Sequence, residues 1–176
     1  MPRLLIFGII GFLLLSPAFA APLDDADQAY ARGDFATATR LYRSLADAGN
    51  PQAQLRLGLM FHYGLGIPEN DVEALNWFER AAKQGLPEAQ FQLGNMYAFG
   101  FGVAPNDPAA DRNAAEWYFA AARQGHAEAQ YALGVLFLTG KGVQASEGEA
   151  RKWMQRAAES GHADAKIFIQ SSKPTK

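Results

Sequence analysis

The 176-residue chain contains no cysteine, and this absence excludes disulfide bonds, thiolate metal sites and lipid attachment through a cysteine. Stability must therefore come from burying apolar side chains, for which a chain of this length is adequate. Neither sign of charge dominates, because 16 Lys and Arg face 18 Asp and Glu for a net charge of -2. This balance gives no electrostatic basis for binding nucleic acid or an anionic membrane.

Only the N-terminal residues form a long apolar run. Arg3 precedes an apolar stretch from Leu4 to Leu15, and Ala18-Phe19-Ala20 supplies a small-x-small motif. This arrangement is typical of a signal peptide, here residues 1–20, cleaved before Ala21. The stretch is short for a membrane span, which needs about 20 residues, although an uncleaved anchor is the alternative. We expect a periplasmic or secreted protein with no membrane insertion after cleavage.

Three segments of the chain share one sequence pattern. Each segment runs from Ala-Gln through Leu-Gly to an aromatic residue and a Gly-x-Gly turn, then to Trp, Ala-Ala and a final Gly. The glutamines that mark the pattern, Gln54, Gln90 and Gln130, are 36 and 40 residues apart. A period in this range indicates a solenoid of helix pairs, since one repeat cannot bury its apolar face alone.

Within each repeat the spacing predicts a helix A, a glycine turn and a helix B. Ala53, Leu57 and Phe61 recur every four residues and so share one helical face. A mid-helix glycine such as Gly58 costs about 1 kcal/mol relative to alanine, and we attribute it to close backbone approach by the neighbouring helix. The residues predicted to form the repeat core are Leu57, Gly58, Phe61, Trp77, Leu93, Gly94, Tyr97, Trp117, Leu133, Gly134, Phe137 and Trp153.

The repeats also predict how the mature chain is organised. We expect a degenerate helical repeat over 21–52, repeat 1 over 53–88, repeat 2 over 89–128, repeat 3 over 129–164, a capping helix over 165–170 and a disordered tail over 171–176. Repeat 2 carries a loop insertion near 105–112. Long loops are tolerated at low cost, so this insertion is either a neutral surface bulge or a partner contact.

The pattern Leu-Gly-x-x-aromatic-x-x-Gly-x-Gly-aliphatic, followed by Ala-x-x-Trp-aromatic-x-x-Ala-Ala-x-x-Gly, resembles the Sel-one-like repeat (SLR) family. This family is related to tetratricopeptide repeats, and the resemblance covers Ala53 to Gly161. It implies an all-α fold, a right-handed superhelix of antiparallel helix pairs that recruits proteins. Bacterial members serve as adaptors in envelope assembly, secretion, signalling or host contact. Some cysteine-rich relatives bind or hydrolyse penicillin-type compounds, but this chain lacks their cysteines.

Residues suited to catalysis or metal binding are scarce. His126 and His162 occupy one repeat position, where repeat 1 has Leu86. We therefore expect them to fill space in the turn and not to act as a base or a metal ligand. His62 has no carboxylate at helical spacing to orient it. Neither a Gly-x-Ser-x-Gly elbow nor a His-Glu-x-x-His motif is present. We therefore expect no enzyme activity, cofactor or metal. The alternatives are a cell-wall or β-lactam-related hydrolase and a self-associating envelope protein.

The surface lined by the A helices is the better candidate for function. By analogy with tetratricopeptide geometry, side chains on either side of the Leu-Gly pair point into a concave groove, where an apolar surface would mark a partner site. We expect the partner to be another protein of unknown identity. For Phe91 and its equivalents, packing between A helices is the alternative. The candidate residues are Leu55, Leu59, His62, Tyr63, Phe91, Asn95, Phe99, Tyr131, Val135 and Leu138.

Overall fold

The computed structural model describes residues 20–172, and in that range all regular structure is helical. The helices are α1 (Ala20–Ala31), α2 (Phe35–Asp47), α3 (Pro51–Tyr63), α4 (Asp71–Lys83), α5 (Pro87–Phe99), α6 (Ala110–Ala122), α7 (Ala127–Thr139), α8 (Glu147–Glu159) and α9 (Ala163–Ser171). Residues 1–19 of the expected signal peptide and residues 173–176 of the expected tail lie outside the described residues. Among the helices of the described range, none combines the length and the apolar character that a membrane crossing requires.

Each helix packs against the next one along the chain, from α1 against α2 to α8 against α9. The odd-numbered helices are therefore the A helices and the even-numbered ones, α2 to α8, are the B helices. This arrangement confirms the all-α helical-repeat solenoid. Helix α9 is an A helix for which the described residues provide no B helix, and it extends beyond the expected bounds of 165–170 at both ends.

Local signals explain where the helices begin and end. At the start of α3, Pro51 occupies the first turn and the Asn50 side chain accepts a hydrogen bond from the Ala53 amide at 3.0 Å. The helix ends at Gly64, whose φ of 64° places it in the left-handed region. At the start of α4 the Asn70 side chain accepts from the Glu73 amide at 3.1 Å. These caps position the two helices of one repeat.

The core lies between the A and B helices. Leu57, Leu93 and Leu133 are almost fully buried, and so are two methionines that the sequence analysis did not single out, Met60 and Met96. Of the other residues expected in the core, Phe61, Trp77 and Trp153 are buried, whereas Tyr97, Trp117 and Phe137 are only partly buried.

The mid-helix glycines leave room for a side chain of the paired B helix. A Cβ atom at Gly58 would lie 2.7 Å from the Phe78 ring, and one at Gly94 would lie 2.6 Å from the Tyr118 ring. At Gly134 the nearest atom is Met154 Cγ at 3.0 Å. The close approach is therefore made by side chains and not, as expected, by the neighbouring backbone.

The contact between each mid-helix glycine and the paired B helix predicts that Gly→Ala changes the free energy of unfolding differently in different repeats. Replacing glycine by alanine inside a helix gains about 1 kcal/mol in propensity. At Gly58 we expect a net loss of about 1–2 kcal/mol, because the stiff Phe78 ring cannot move away without strain. Gly134→Ala serves as the matched control and should be nearly neutral, since Met154 is flexible. Urea unfolding of both variants measures the difference, and equal losses would contradict this account.

The second glycine of each turn connects successive repeats. Gly66 approaches Phe35 at the start of α2, and Gly102 approaches the backbone of Asp71 at the start of α4. Gly142 makes the same approach to Asp111 at the start of α6. In each case a Cβ atom would overlap main-chain atoms of the preceding repeat. The turns therefore set the spacing between repeats.

Buried glutamines also tie each repeat to the one before it. The Nε2 group of each marker glutamine donates to a carbonyl in the last turn of the preceding B helix, and the same carbonyl also accepts from the glycine amide of the turn that follows. The pairs are Gln54 to Ala46 at 3.1 Å, Gln90 to Ala82 at 3.2 Å and Gln130 to Ala122 at 3.1 Å. This ladder accounts for the Ala-Gln that opens every repeat.

Candidate partner-binding surface

A cleft of about 430 Å³ opens between the A helices α5 and α7. Phe91 and Asn95 on one side face Tyr131 and Val135 on the other, and Tyr118 from α6 contributes to the lining. We call this space the A-helix cleft. It brings together five of the residues proposed for the groove: Phe91, Asn95, Phe99, Tyr131 and Val135.

Two alanines account for the position of the cleft. Ala98 lines it where the equivalent residues of the sister repeats are His62 and Leu138. Ala132 lines it where the sister repeats have Arg56 and Gln92. Since a small residue replaces a large one on both A helices, space remains between them.

Histidine rings hold the aromatic walls in place. His126 stacks on Phe91 with ring centroids 4.8 Å apart, and His162 stacks on Tyr131 at 4.2 Å. Each histidine also caps its own helix, because its Nδ1 atom accepts a hydrogen bond from a backbone amide at 3.3 Å. The expectation that these residues only fill space in the turn was therefore wrong. They are N-caps whose rings also stack on the aromatic walls of the cleft.

The His126 cap fixes the electrostatics at one end of the cleft. Because its Nδ1 atom accepts, Nε2 carries the proton and donates to Glu88 at 2.9 Å. This hydrogen bond keeps the pKa of Glu88 below its usual value; burial opposes the effect and a second hydrogen bond from Gln92 adds to it. Glu128 lies 3.4 Å from the same Nδ1 atom. It receives no proton from that atom, and its carboxylate stays exposed.

A polar pair lies within the apolar part of the cleft. The Tyr118 hydroxyl donates to Asn95 Oδ1 at 2.7 Å. Burial raises the pKa of Tyr118 to about 12, so the hydroxyl remains a donor at neutral pH. The Asn95 oxygen is thus occupied, while its NH₂ group forms no hydrogen bond among the described residues. The cleft therefore contains one amide donor that is free for a ligand.

Beside the cleft, four rings form a group that we call the aromatic patch: the partly buried His62 and the exposed Tyr63, Phe99 and Phe101. Tyr63 is 61% exposed and Phe99 is 70% exposed. Ring centroids of His62 and Phe101 are 5.3 Å apart, and those of Phe99 and Phe101 are 6.1 Å apart. Because Phe99 also lines the cleft, patch and cleft form one continuous surface.

The sequence analysis missed Phe101, although a signal was present. Phe101 is the middle residue of the second Gly-x-Gly turn, where the other repeats have Leu65 and Lys141. It lies against His62 from the preceding repeat. An exposed aromatic residue in a turn position was the feature that could have identified it.

His62 has a carboxylate partner that was not expected. Its Nδ1 atom lies 2.6 Å from Asp71 Oδ1, at the start of α4. Helical spacing within α3 does not indicate this partner, because Asp71 belongs to the next helix. The pair holds the His62 ring at the edge of the aromatic patch.

Three proposed groove residues lie outside the cleft and the patch. Leu55 is only 5% exposed and belongs to the buried core, against which Leu86 also packs. Its assignment to an open groove was therefore wrong. Leu59 is partly buried against the same core. Leu138 is exposed, but it lies beside a separate pocket near Phe168.

The A-helix cleft and the aromatic patch offer few groups that could take part in catalysis. They present ring faces, one amide donor and an exposed carboxylate. Within residues 20–172, no group of three or more histidine, cysteine or acidic side chains is arranged to hold a metal ion.

The sequence pattern matches a model of the Sel1 repeat over residues 51–86, 87–126 and 127–162. These three matches cover more than half of the chain, and the protein therefore belongs to the Sel1 repeat family. Each match begins two residues before the repeat boundaries expected from the sequence. Repeats of this kind form scaffolds for protein–protein interaction.

Solved structures show the same architecture. A Sel1 repeat protein from Oxalobacter formigenes is 34% identical with a TM-score of 0.77, over 84% of this chain and 59% of its own. A protective antigen of uropathogenic Escherichia coli strains, which displays an SLR fold, is 29% identical with a TM-score of 0.77, over 87% of this chain and 33% of its own. Helicobacter pylori cysteine rich protein B shares the fold at 22% identity and a TM-score of 0.56, over 83% of this chain and 96% of its own.

The chain thus spans about 59% and 33% of the lengths of the first two structures. A comparison with curated proteins gives no match.

Proposed function

We propose that this protein is an exported protein–protein interaction module that acts as an adaptor in a bacterial cell-envelope process. Its partner binds along the A helices, over the aromatic patch and the A-helix cleft. The observation that carries the proposal is the exposure of Tyr63 and Phe99 next to that cleft. Large apolar side chains grouped on a surface mark interaction sites. The proposed function requires no catalytic residue.

Export is proposed from the N-terminal segment. A positive residue, an apolar stretch and a small-x-small motif are the three parts of a signal peptide. Family membership supports the interaction role, since stacked repeats create extended surfaces for partners.

The aromatic patch supplies the anchors in this proposal. Aromatic side chains provide a large contact area and lose little rotamer entropy on binding. A few such residues commonly account for most of the binding energy at an interface. Tyr63 and Phe99 are suited to this role, because both are aromatic and exposed. They lie at the ends of α3 and α5.

Removing both anchors should weaken partner binding. We expect Tyr63→Ala combined with Phe99→Ala to reduce affinity by about 2 kcal/mol or more. Thermal stability should change little, because both rings are exposed. The measurement is capture from an envelope extract with the mature chain as bait, followed by titration of the purified partner.

Phe119→Ala provides the matched control. Phe119 is also an exposed phenylalanine, but it lies on the B helix α6 near Trp153, away from the patch. Its replacement should leave partner binding unchanged. Normal binding by the double variant would show that the patch is not the partner site. Unfolding of the double variant would show that its rings belong to the packing of the fold.

A further inference from the structure

We propose that the A-helix cleft selects a partner segment in which one bulky apolar side chain is flanked by lysine or arginine. This inference rests on the proposed interaction function and specifies the chemistry of the partner. Three features of the cleft carry it: its volume, the Asn95 amide donor and the Glu128 carboxylate.

The apolar side chain is inferred from the shape and lining of the cleft. A volume of about 430 Å³ lies in the range of ligand-binding pockets, about 300–1,000 Å³. The rings of Phe91 and Tyr131 form opposite walls, and each ring is braced by a stacked histidine. An aliphatic or aromatic side chain that enters this space replaces water against preformed walls. Its binding therefore requires little rearrangement of the protein.

Asn95 fixes the position of the segment that carries this side chain. Its carbonyl oxygen is engaged by the Tyr118 hydroxyl at 2.7 Å, which orients the amide group. The NH₂ group then serves as a donor within the cleft. An extended peptide offers a main-chain carbonyl next to each side chain, so a peptide can supply the acceptor whatever its sequence.

The flanking charge is inferred from the acidic, basic and histidine side chains that line the cleft, which are Asp111, Glu128, Lys141 and His162. Lys141 Nζ lies 3.4 Å from Asp111 Oδ1, so these two charges compensate each other. His162 accepts a hydrogen bond through Nδ1, which requires an unprotonated nitrogen there. Among the described residues, no Lys or Arg nitrogen lies within 4.0 Å of the Glu128 carboxylate, and its neighbour His126 faces it with the accepting Nδ1 atom.

Glu88 increases the negative charge at the same end of the surface. It accepts hydrogen bonds from His126 and from Gln92, and the charge of Arg56, which also lowers the pKa of Glu88, is shared with Asp27 at 3.6 Å. A basic residue beside the buried anchor would therefore meet a favourable potential, whereas an acidic one would meet repulsion.

The test uses three sets of fluorescein-labelled nine-residue peptides, each with a central leucine or tryptophan in a Gly/Ser frame. The residues on both sides of the centre are lysine in one set, serine in the second and glutamate in the third. Fluorescence anisotropy with the full chain should show that the lysine set binds roughly fivefold or more tightly than the glutamate set, because exposed ion pairs are modestly favourable and like charges repel. Glu128→Lys should reverse this order, and higher salt should reduce it.

A second variant tests occupancy of the cleft. Ala98→Leu should fill it and abolish binding of all three sets, while the fold is retained because leucine occurs at the equivalent position as Leu138. Ala36→Leu, at an exposed position of α2, makes the same change away from the cleft and should have no effect. Circular dichroism verifies the fold of each variant.

Three results would overturn the inference: no binding of the lysine set to the wild-type chain, equal binding of the lysine and glutamate sets, or full binding after Ala98→Leu. Failure of the broader interaction function is distinguishable from these results. The interaction function fails if partner capture does not depend on Tyr63 and Phe99, irrespective of the binding measured for the three peptide sets.

Discussion

Gly102→Ala should destabilise the protein by about 3–4 kcal/mol, whereas Gly100→Ala, two residues away, should cost only about 1–2 kcal/mol. Both glycines have positive φ, 77° at Gly100 and 68° at Gly102, so either substitution carries the left-handed strain of about 1–2 kcal/mol. A Cβ atom at Gly100 meets nothing within 4 Å. At Gly102 it overlaps the backbone of Asp71 and Val72 at the start of α4, which adds an overpacking cost of about 1–3 kcal/mol.

Urea unfolding of the two variants, followed by circular dichroism, measures this difference. The Gly102 variant should also broaden the transition, because the clash weakens the contact between successive repeats and stability in a solenoid depends on such contacts. Equal losses for the two variants would show that only the left-handed backbone matters and that the second glycine does not set the repeat spacing.

The second large effect concerns two tryptophans that the sequence presents as equivalent. Trp77→Ala should cost about 3–5 kcal/mol, the usual loss for a buried tryptophan, since Trp77 is only 5% exposed and Arg80 lies 4.4 Å above its ring. Trp117 is only partly buried, and Ala120 occupies the position of that arginine. Trp117→Ala should therefore cost less, about 2 kcal/mol.

Trp77→Phe separates ring packing from polar burial. The Trp77 Nε1 group is buried without a hydrogen-bond partner among the described residues, and an unpaired buried donor is itself unfavourable, by about 1–3 kcal/mol. Phenylalanine keeps much of the packing and removes this donor, so the loss should be much smaller than for alanine. Denaturant midpoints of the three variants provide the comparison, and equal losses for Trp77→Ala and Trp117→Ala would contradict the assigned burial.

Much of the fold could be predicted from the sequence because its signals are local. Asn50 and Pro51 start α3, and Gly64 ends it, through contacts that span only three or four residues. The buried leucines, such as Leu57, follow from helical spacing alone. The matches to the Sel1 repeat then follow from the recurrence of this pattern.

The candidate surface was only partly predictable because it depends on contacts between repeats. Tyr63 and Phe99 are exposed, as their positions in the pattern indicated. Leu55 occupies the same repeat position as Phe91 and Tyr131, yet it is buried while they line a cleft. The difference arises from neighbours about one repeat away, which the pattern of a single repeat does not describe.

The sequence by itself determined the helices, the glycine turns and the repeating stack, because each depends on short-range spacing and on backbone conformation. Only the tertiary structure decided which side chains meet across repeats. It paired His62 with Asp71, placed Phe101 against His62 and left a cleft beside Ala98. The physical reason is that packing depends on the volumes of residues from several repeats together, and these volumes vary while the repeat pattern stays the same.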